Sequence, residues 1–245
     1  MTSAPAPLRA ATFPPVRAEP KPIFDWLFGI AVLAVVGVYV RAIYFTPMDA
    51  LQGAAQKIYY VHVPSAIGGY LAVTITALMS IVFLWLADER ADRLAEAGAE
   101  VGLVFLSVVL ITGPIWGRWV WGTWWSWGDA RLTLTLFLWF VIAAYLILRG
   151  AIEDVAMRAR YSAILGILGA VLIPFIHLSV YFFNTLHPMP IALKPGRPSM
   201  SPEMLTTFLF AMCAFALLSI TLVRARYRLG LQRDLIASAE MDGAV

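Results

Sequence analysis

Six long apolar stretches, separated by short polar segments, dominate the hydrophobic pattern of this chain. Each stretch approaches the ~20 residues that an α-helix needs to cross the hydrocarbon core of a bilayer. Backbone groups in lipid must be hydrogen-bonded within their own segment, so helices are the expected structure. The pattern therefore predicts an all-α integral membrane protein with six transmembrane helices. The predicted spans are 24–45, 58–87, 101–116, 132–148, 163–183 and 204–223.

The composition strengthens this prediction. Of the 245 residues, 61% are hydrophobic and 13% are charged, and the mean hydropathy is +0.79. A soluble globular domain is about 45–50% apolar and about 25% charged. The chain has too few polar residues to coat a water-soluble surface, which argues against a soluble enzyme, a disordered chain and a nucleic-acid-binding protein. The single cysteine, Cys213, excludes an internal disulfide and a CxxC redox pair, and we expect it to be a small buried apolar residue.

The Lys and Arg residues orient the predicted helices. Twelve of the 18 fall in segments on the side of the two termini, and six fall on the other side. By the positive-inside rule, both termini are predicted to be cytoplasmic. Residues 1–23 are predicted to be a disordered cytoplasmic leader, residues 24–225 the membrane domain and residues 226–245 a cytoplasmic tail. The acidic segment 88–100 is expected to be a solvated connection between two helices.

Six of the nine tryptophans lie in segment 116–131, on the predicted outer face between the third and fourth helices. An interfacial aromatic belt does not account for this density. Indole rings offer wide rigid faces with one hydrogen-bond donor each, and the interleaved glycines allow close approach. The segment is therefore predicted to be a platform for a large, flat, apolar ligand. Arg118 and Arg131 could pair with carboxylates of that ligand, and Asp129 could orient Arg131 or an indole N–H.

Two of the three histidines fall at the same outer level as the tryptophans. His62 lies at the start of the second helix and His187 just after the fifth. Two facing imidazoles can coordinate haem iron, and haem is a flat apolar disc with two carboxylates, whereas a bare metal ion usually needs three or four ligands. The position of both residues at helix ends argues against a b-type electron-transfer cytochrome. His177, deeper in the fifth helix, is expected to be a hydrogen-bonded core residue.

Three motifs together resemble a known family. Residues 121–133 (WGTWWSWGDARLT) resemble the tryptophan-rich WWD signature of the haem-handling protein superfamily. With residues 57–64 (KIYYVHVP) and 184–188 (NTLHP), the chain is similar to the haem exporter protein C (CcmC) family of system I cytochrome c maturation. The resemblance extends from about residue 24 to about residue 225. The motif departs from the family pattern at Gly128, which separates Trp127 from Asp129.

The resemblance implies a specific site and a specific set of partners. Haem b would be held transiently and without a covalent bond on the periplasmic face of the bacterial inner membrane, with His62 and His187 as axial ligands. Lys57 and Arg131 would meet the haem carboxylates. Its partners would be the haem chaperone CcmE, the ABC-type complex CcmA/CcmB and the small protein CcmD. The residues that would cradle haem are Trp116, Trp121, Trp124, Trp125, Trp127 and Asp129.

The resemblance implies haem transport for cytochrome c-type biogenesis, and not an enzyme. No nucleotide-binding GxxxxGK[ST] motif is present in the sequence. Two alternatives remain open. A cytochrome c haem lyase subunit of the same superfamily generally has more helices or a large periplasmic domain, for which this chain is too short. A cofactor-free permease subunit of a transporter would show no visible absorption and would tolerate His62→Ala.

Overall fold

The chain folds into six long helices. The computed structural model describes residues 22–192, 194 and 196–241, so most of the predicted leader and the end of the predicted tail lie outside the described residues. No strand occurs in the described ranges. A π-helical turn, Arg41–Phe45, follows α1, and a short 3₁₀ helix, Ala54–Ile58, precedes α2. The helices are α1 Trp26–Val40, α2 Tyr59–Leu86, α3 Glu89–Val120, α4 Ala130–Ala151, α5 Val155–Phe182 and α6 Pro202–Met241.

All six helices are long and apolar enough to cross a membrane. This confirms the predicted all-α class with six transmembrane helices; the cytoplasmic location of the termini stays a prediction. Four of the helices begin at an aspartate whose carboxylate accepts a hydrogen bond from a backbone N–H of the first turn, the usual N-cap arrangement. The capping residues are Asp25 for α1, Asp88 for α3, Asp129 for α4 and Asp154 for α5.

The helices α2 and α3 form the centre of the bundle. Glycines allow their backbones to approach, as is common between membrane helices. A Cβ atom built on Gly98 of α3 would lie 2.6 Å from the Thr76 hydroxyl oxygen and 2.8 Å from the Ala72 carbonyl oxygen of α2. The pairs α4–α5 and α1–α6 flank this centre, and α5 and α6 both pack against α2.

Ion pairs join the helices to one another at the end of the bundle opposite the tryptophan segment. The guanidinium of Arg149 on α4 is buried and donates to Asp92 at 2.7 and 2.9 Å and to Glu96 at 2.9 Å. The acidic segment 88–100 is therefore the first part of α3 and not a connection between helices. Three of its carboxylates pair with basic residues of α4 and α6: Asp92 and Glu96 with Arg149, and Glu100 with Arg226. Further ion pairs at this end are Arg93–Asp234, Arg224–Asp25 and Arg228–Asp25.

Two predictions about single residues are wrong. Cys213 is exposed on α6, and His177 is exposed on α5, so neither is a core residue. Both lie in apolar helices whose hydrophobic residues cover more than one face, so the sequence pattern does not show which face is buried. In lipid, an apolar side chain on the outside of a helix is as acceptable as one inside.

At its C-terminal end, helix α3 extends four residues beyond the predicted span, so the first part of the tryptophan segment is helical and not a loop. Residues 116–120 are helical, and only 121–129 form a loop between α3 and α4. The last helical hydrogen bond runs from the N–H of Trp121 to the carbonyl of Gly117. The helix ends there because Gly122 follows with φ +76°, a left-handed conformation that favours glycine. At the other terminus, residues 226–241 of the predicted tail continue α6 as helix.

Candidate functional site

A cavity of about 530 Å³ lies at the end of the bundle where α2 begins and α5 ends. Its volume falls in the range of about 300–1,000 Å³ that is typical of small-molecule sites. It brings together His62, His187, Trp116, Trp125 and Arg131, which the sequence predicts to act together. The remaining walls are mainly apolar and include five methionines, at positions 48, 189, 200, 204 and 212.

His62 is held by a hydroxyl group of α3. Its Nδ1 lies 2.9 Å from the Oγ1 of Thr112, and that hydroxyl donates its proton to the carbonyl of Val108 at 2.7 Å. A threonine hydroxyl has one proton, so it accepts a hydrogen bond from Nδ1–H of His62. The Nε2 atom of His62 is then the unprotonated nitrogen, which can bind a metal. Gly113 leaves room for the ring, because a Cβ there would lie 3.1 Å from Cε1 of His62.

His187 is held by a carboxylate. Its Nδ1 lies 3.3 and 3.4 Å from the two carboxylate oxygens of Asp129, which is 2% exposed. Asp129 also accepts hydrogen bonds from the N–H of Leu132 at 3.0 Å and the N–H of Leu186 at 2.7 Å. A carboxylate beside Nδ1 fixes the proton there and leaves Nε2 free, the arrangement of many metal-bound histidines.

The charge of Asp129 persists over a wide pH range. Burial raises the pKa of this carboxyl, but the hydrogen bonds from His187, Leu132 and Leu186 outweigh burial and lower the pKa to about 2. A carboxyl whose pKa is lowered in the folded state stabilises the fold above its unfolded pKa and loses that contribution as the pH falls through the folded value. The carboxyl group of Asp129, which holds His187, is therefore ionised at neutral and mildly acidic pH.

The predicted tryptophans divide into two groups. Trp116 and Trp125 line the cavity, and Trp121 packs edge-on against both Trp116 and His187, with ring centroids 4.8 and 5.0 Å apart. The Nε1 of Trp116 donates to the side chain of Gln52 at 3.0 Å. The Nε1 of Trp125 is buried and has no hydrogen-bond partner among the described residues. Trp124 and Trp127 are 59% and 73% exposed.

The three predicted basic residues differ in position. Arg131 lines the cavity and donates to the backbone carbonyls of Ile176 and His177 at 3.3 and 3.0 Å. Lys57 donates to the carbonyls of residues 46 and 47 at 2.5 and 3.0 Å, and Arg118 donates to the carbonyl of Gly122 at 2.6 Å. Lys57 and Arg118 do not line the cavity.

The sequence did not reveal the partners of the two histidines. Asp129 contacts His187, 58 positions away, and Thr112 contacts His62, 50 positions away. A threonine within an apolar helix and an aspartate at a helix start are both common, so neither carries a signal of its own. Asp129 does not orient Arg131 or an indole N–H through any hydrogen bond in the described part of the chain.

The site can bind a ligand that combines a metal with a flat apolar body. It offers two imidazole nitrogens, the indole N–H of Trp125 and the guanidinium of Arg131. Within the residues described, no group of three or more His, Cys, Asp or Glu side chains could hold a bare metal ion. The donors therefore suit a metal that brings most of its own ligands.

Comparisons with known proteins agree on one family. The family model CcmC, described as Heme exporter protein C, matches residues 12–241. The chain is 36% identical to Heme exporter protein C of Bradyrhizobium diazoefficiens. The 223 aligned residues cover 89% of this chain and 82% of the relative. It is 38% identical to the protein of that name from Haemophilus influenzae, with 85% of each chain covered. For the Escherichia coli K12 relative the identity is 35%, with 83% and 81% covered. The chain belongs to the heme exporter protein C family.

Proposed function

We propose that this protein binds haem in the cavity, with Nε2 of His62 and Nε2 of His187 as axial ligands, and presents it for c-type cytochrome biogenesis. One observation carries the proposal: both imidazoles line the same cavity, and each has its Nδ1 engaged by a neighbouring oxygen. A metal-binding histidine needs this second partner to fix its tautomer and ring orientation.

The other cavity residues fit the rest of the haem molecule. The rings of Trp116 and Trp125 and the methionine side chains provide apolar surface for the macrocycle. The unpartnered indole N–H of Trp125 and the guanidinium of Arg131 can donate to the haem carboxylates. Lys57 and Arg118 have donors to spare, but neither lines the cavity, so each would have to move to reach a haem carboxylate.

The remaining predicted residues support the site from outside the cavity. Trp121 backs the ring of His187, and Asp129 orients it. Trp124 and Trp127 are exposed on the same loop, where bound haem or a docked protein can reach them. The distribution of Lys and Arg favours a periplasmic position for this loop and a multi-pass location in the inner membrane.

The partners follow from the family resemblance. We propose that haem b is held without a covalent bond and passed to the periplasmic chaperone CcmE, in a complex with CcmA/CcmB and CcmD. Because the relatives are named heme exporter proteins, we propose that the cavity residues bind and orient haem for transport rather than for catalysis.

The proposal is tested by the visible spectrum of protein purified in mild detergent with haem supplied. We expect the wild type to show a six-coordinate haem spectrum. The double variant that carries both His62→Gly and His187→Gly should lose this spectrum. The third histidine, His177, also lines the cavity. We expect His177→Ala to keep the wild-type spectrum, which distinguishes it from the two ligands. A wild type without haem absorption would favour the cofactor-free permease. A spectrum unchanged in the double variant would rule out the axial assignment.

A milder change should weaken the site without removing a ligand. In Gly113→Ala the new Cβ would lie 3.1 Å from Cε1 of His62, so the ring must shift by a few tenths of an ångström. Because ligand geometry is demanding, we expect haem affinity to fall about tenfold with little change in thermal stability. Haem titration of Gly113→Ala beside Gly29→Ala, where a Cβ meets nothing within 4 Å, checks this. Equal affinity in the two variants would contradict it.

A further inference from the structure

One face of α2 lies in a gap between α5 and α6. Both α5 and α6 pack against α2, but among the described residues they scarcely approach each other. In the half of α2 that carries His62, this face lines the cavity. Its positions recur at helical spacing and are Tyr59, Val63, Ala66, Ile67 and Tyr70. The cavity is thus floored by α2, with α5 on one side and α6 on the other.

The gap continues beyond the cavity. Farther along α2 the same face carries Thr74, Leu78, Ile81 and Trp85, and all four are exposed. These residues follow Tyr70 at intervals of three and four positions, so they extend the cavity-lining face along one side of the helix. The gap between α5 and α6 therefore runs from the cavity to the outer surface of the bundle, which is the surface that meets lipid.

The dimensions and the chemistry of the gap suit an amphiphilic flat molecule. From Tyr59 to Tyr70 the helix rises about 16 Å, roughly half the ~30 Å thickness of the hydrocarbon core. Phe208 and Met212 of α6 and Ile176 of α5 provide apolar walls at this depth. Arg131, in the first turn of α4, lies at the end of the bundle that carries His62. A molecule with an apolar body and carboxylates at one edge would travel with its body in the gap and its carboxylates toward Arg131.

We propose that the gap between α5 and α6 is a lateral portal through which haem passes between the bilayer and the two histidines. This inference rests on the proposed function, because it names the route of the same ligand. The physical reason is that the apolar body of haem would leave lipid and meet apolar side chains without crossing water.

The test places a bulky label in the gap beyond the cavity. Thr74 is exposed on the gap-facing side of α2, one turn beyond Tyr70, and Cys213 is exposed on α6; neither lines the cavity. Thr74→Cys is made together with Cys213→Ser and labelled with a bulky apolar maleimide; wild-type protein labelled at Cys213 is the matched control. Both are reconstituted in vesicles. Haem is supplied either dissolved in the bilayer or from water as an albumin complex, and the rate at which the bound-haem absorption appears is measured.

We expect the label at position 74 to slow loading from the bilayer about tenfold, which corresponds to ~1.4 kcal/mol on the barrier. Loading from water and the final spectrum should be unchanged, and the label at Cys213 should slow neither route. Thr74→Phe adds bulk at the same position of the portal without a label, and it must give the same difference if the labelled variant does not fold.

Each other outcome overturns the portal. If loading is unchanged from both sources, haem does not use the gap, which would then be a surface for lipid or for a helix of a partner protein. If loading slows equally from both sources, the label blocks the site itself and not a route to it. If the wild type takes up haem from neither source, the proposed function fails and the portal fails with it.

Discussion

Replacing Asp129 with alanine is expected both to destabilise the protein and to weaken the binding of haem. The carboxylate caps α4 through the N–H of Leu132, accepts the N–H of Leu186 and holds Nδ1 of His187. Loss of an N-cap costs about 1 kcal/mol, and a buried N–H left without a partner costs about 1–3 kcal/mol. We therefore expect Asp129→Ala to lower the free energy of unfolding by about 3 kcal/mol. Loss of the partner of a metal-binding histidine should reduce haem affinity about 10–100-fold.

Asp154→Ala is the matched control for this prediction. Asp154 caps α5 through the N–H of Met157 at 2.7 Å, but it is exposed and forms no hydrogen bond with His62 or His187. It should lose only the capping contribution and keep the affinity of the wild type. The measurements are thermal unfolding in detergent and haem titration of both variants. Wild-type haem affinity in Asp129→Ala would show that His187 does not depend on this carboxylate.

The second large effect is expected from Gly98→Ala. The new Cβ would lie 2.6 Å from Oγ1 of Thr76 and 2.8 Å from the carbonyl oxygen of Ala72, so α2 and α3 must separate. The Thr76 hydroxyl also contacts the carbonyls of Ala72 and Ala95, both at 3.1 Å, and these contacts would be disturbed. Alanine favours helix over glycine by about 1 kcal/mol, but overpacking against backbone costs about 3 kcal/mol. The net expectation is a loss of about 2 kcal/mol and a lower yield of folded protein.

Gly150→Ala separates helix propensity from packing. A Cβ on Gly150 of α4 meets nothing within 4 Å, so this variant should be as stable as the wild type or slightly more so. Size-exclusion profiles and thermal midpoints in detergent compare the two variants. If Gly98→Ala matches Gly150→Ala, the close approach of α2 and α3 does not determine the stability of the bundle.

The sequence was enough to predict the six helices because long apolar stretches have one economical structure in lipid. It also pointed to the residues that meet in the cavity. His62, His187, Trp116, Trp125 and Arg131 stood out because polar and aromatic groups are conspicuous in so apolar a chain.

The sequence could not predict which groups face each other across helices. Thr112 and Asp129 contact the two histidines only through the packing of α2 against α3 and of segment 184–188 against the start of α4. The same limit explains the errors at Cys213 and His177, because an apolar helix that is hydrophobic on all sides does not reveal its buried face. The length of α3 was underestimated because its charged first turns and its tryptophans differ in composition from its apolar centre.

The two histidines are mounted on parts of the protein that differ in stiffness. His62 belongs to a 28-residue helix and is hydrogen-bonded to the helix beside it, so its ring can move only with the core of the bundle. His187 belongs to the non-helical segment between α5 and α6 and is tied down by one carboxylate. Segments with few buried contacts open at a lower free energy than packed helices. His62 is therefore held on a rigid helix, and His187 on a segment that can open at a lower free energy. Opening of that segment would release haem from one side without disturbing the helices that hold the protein in the membrane.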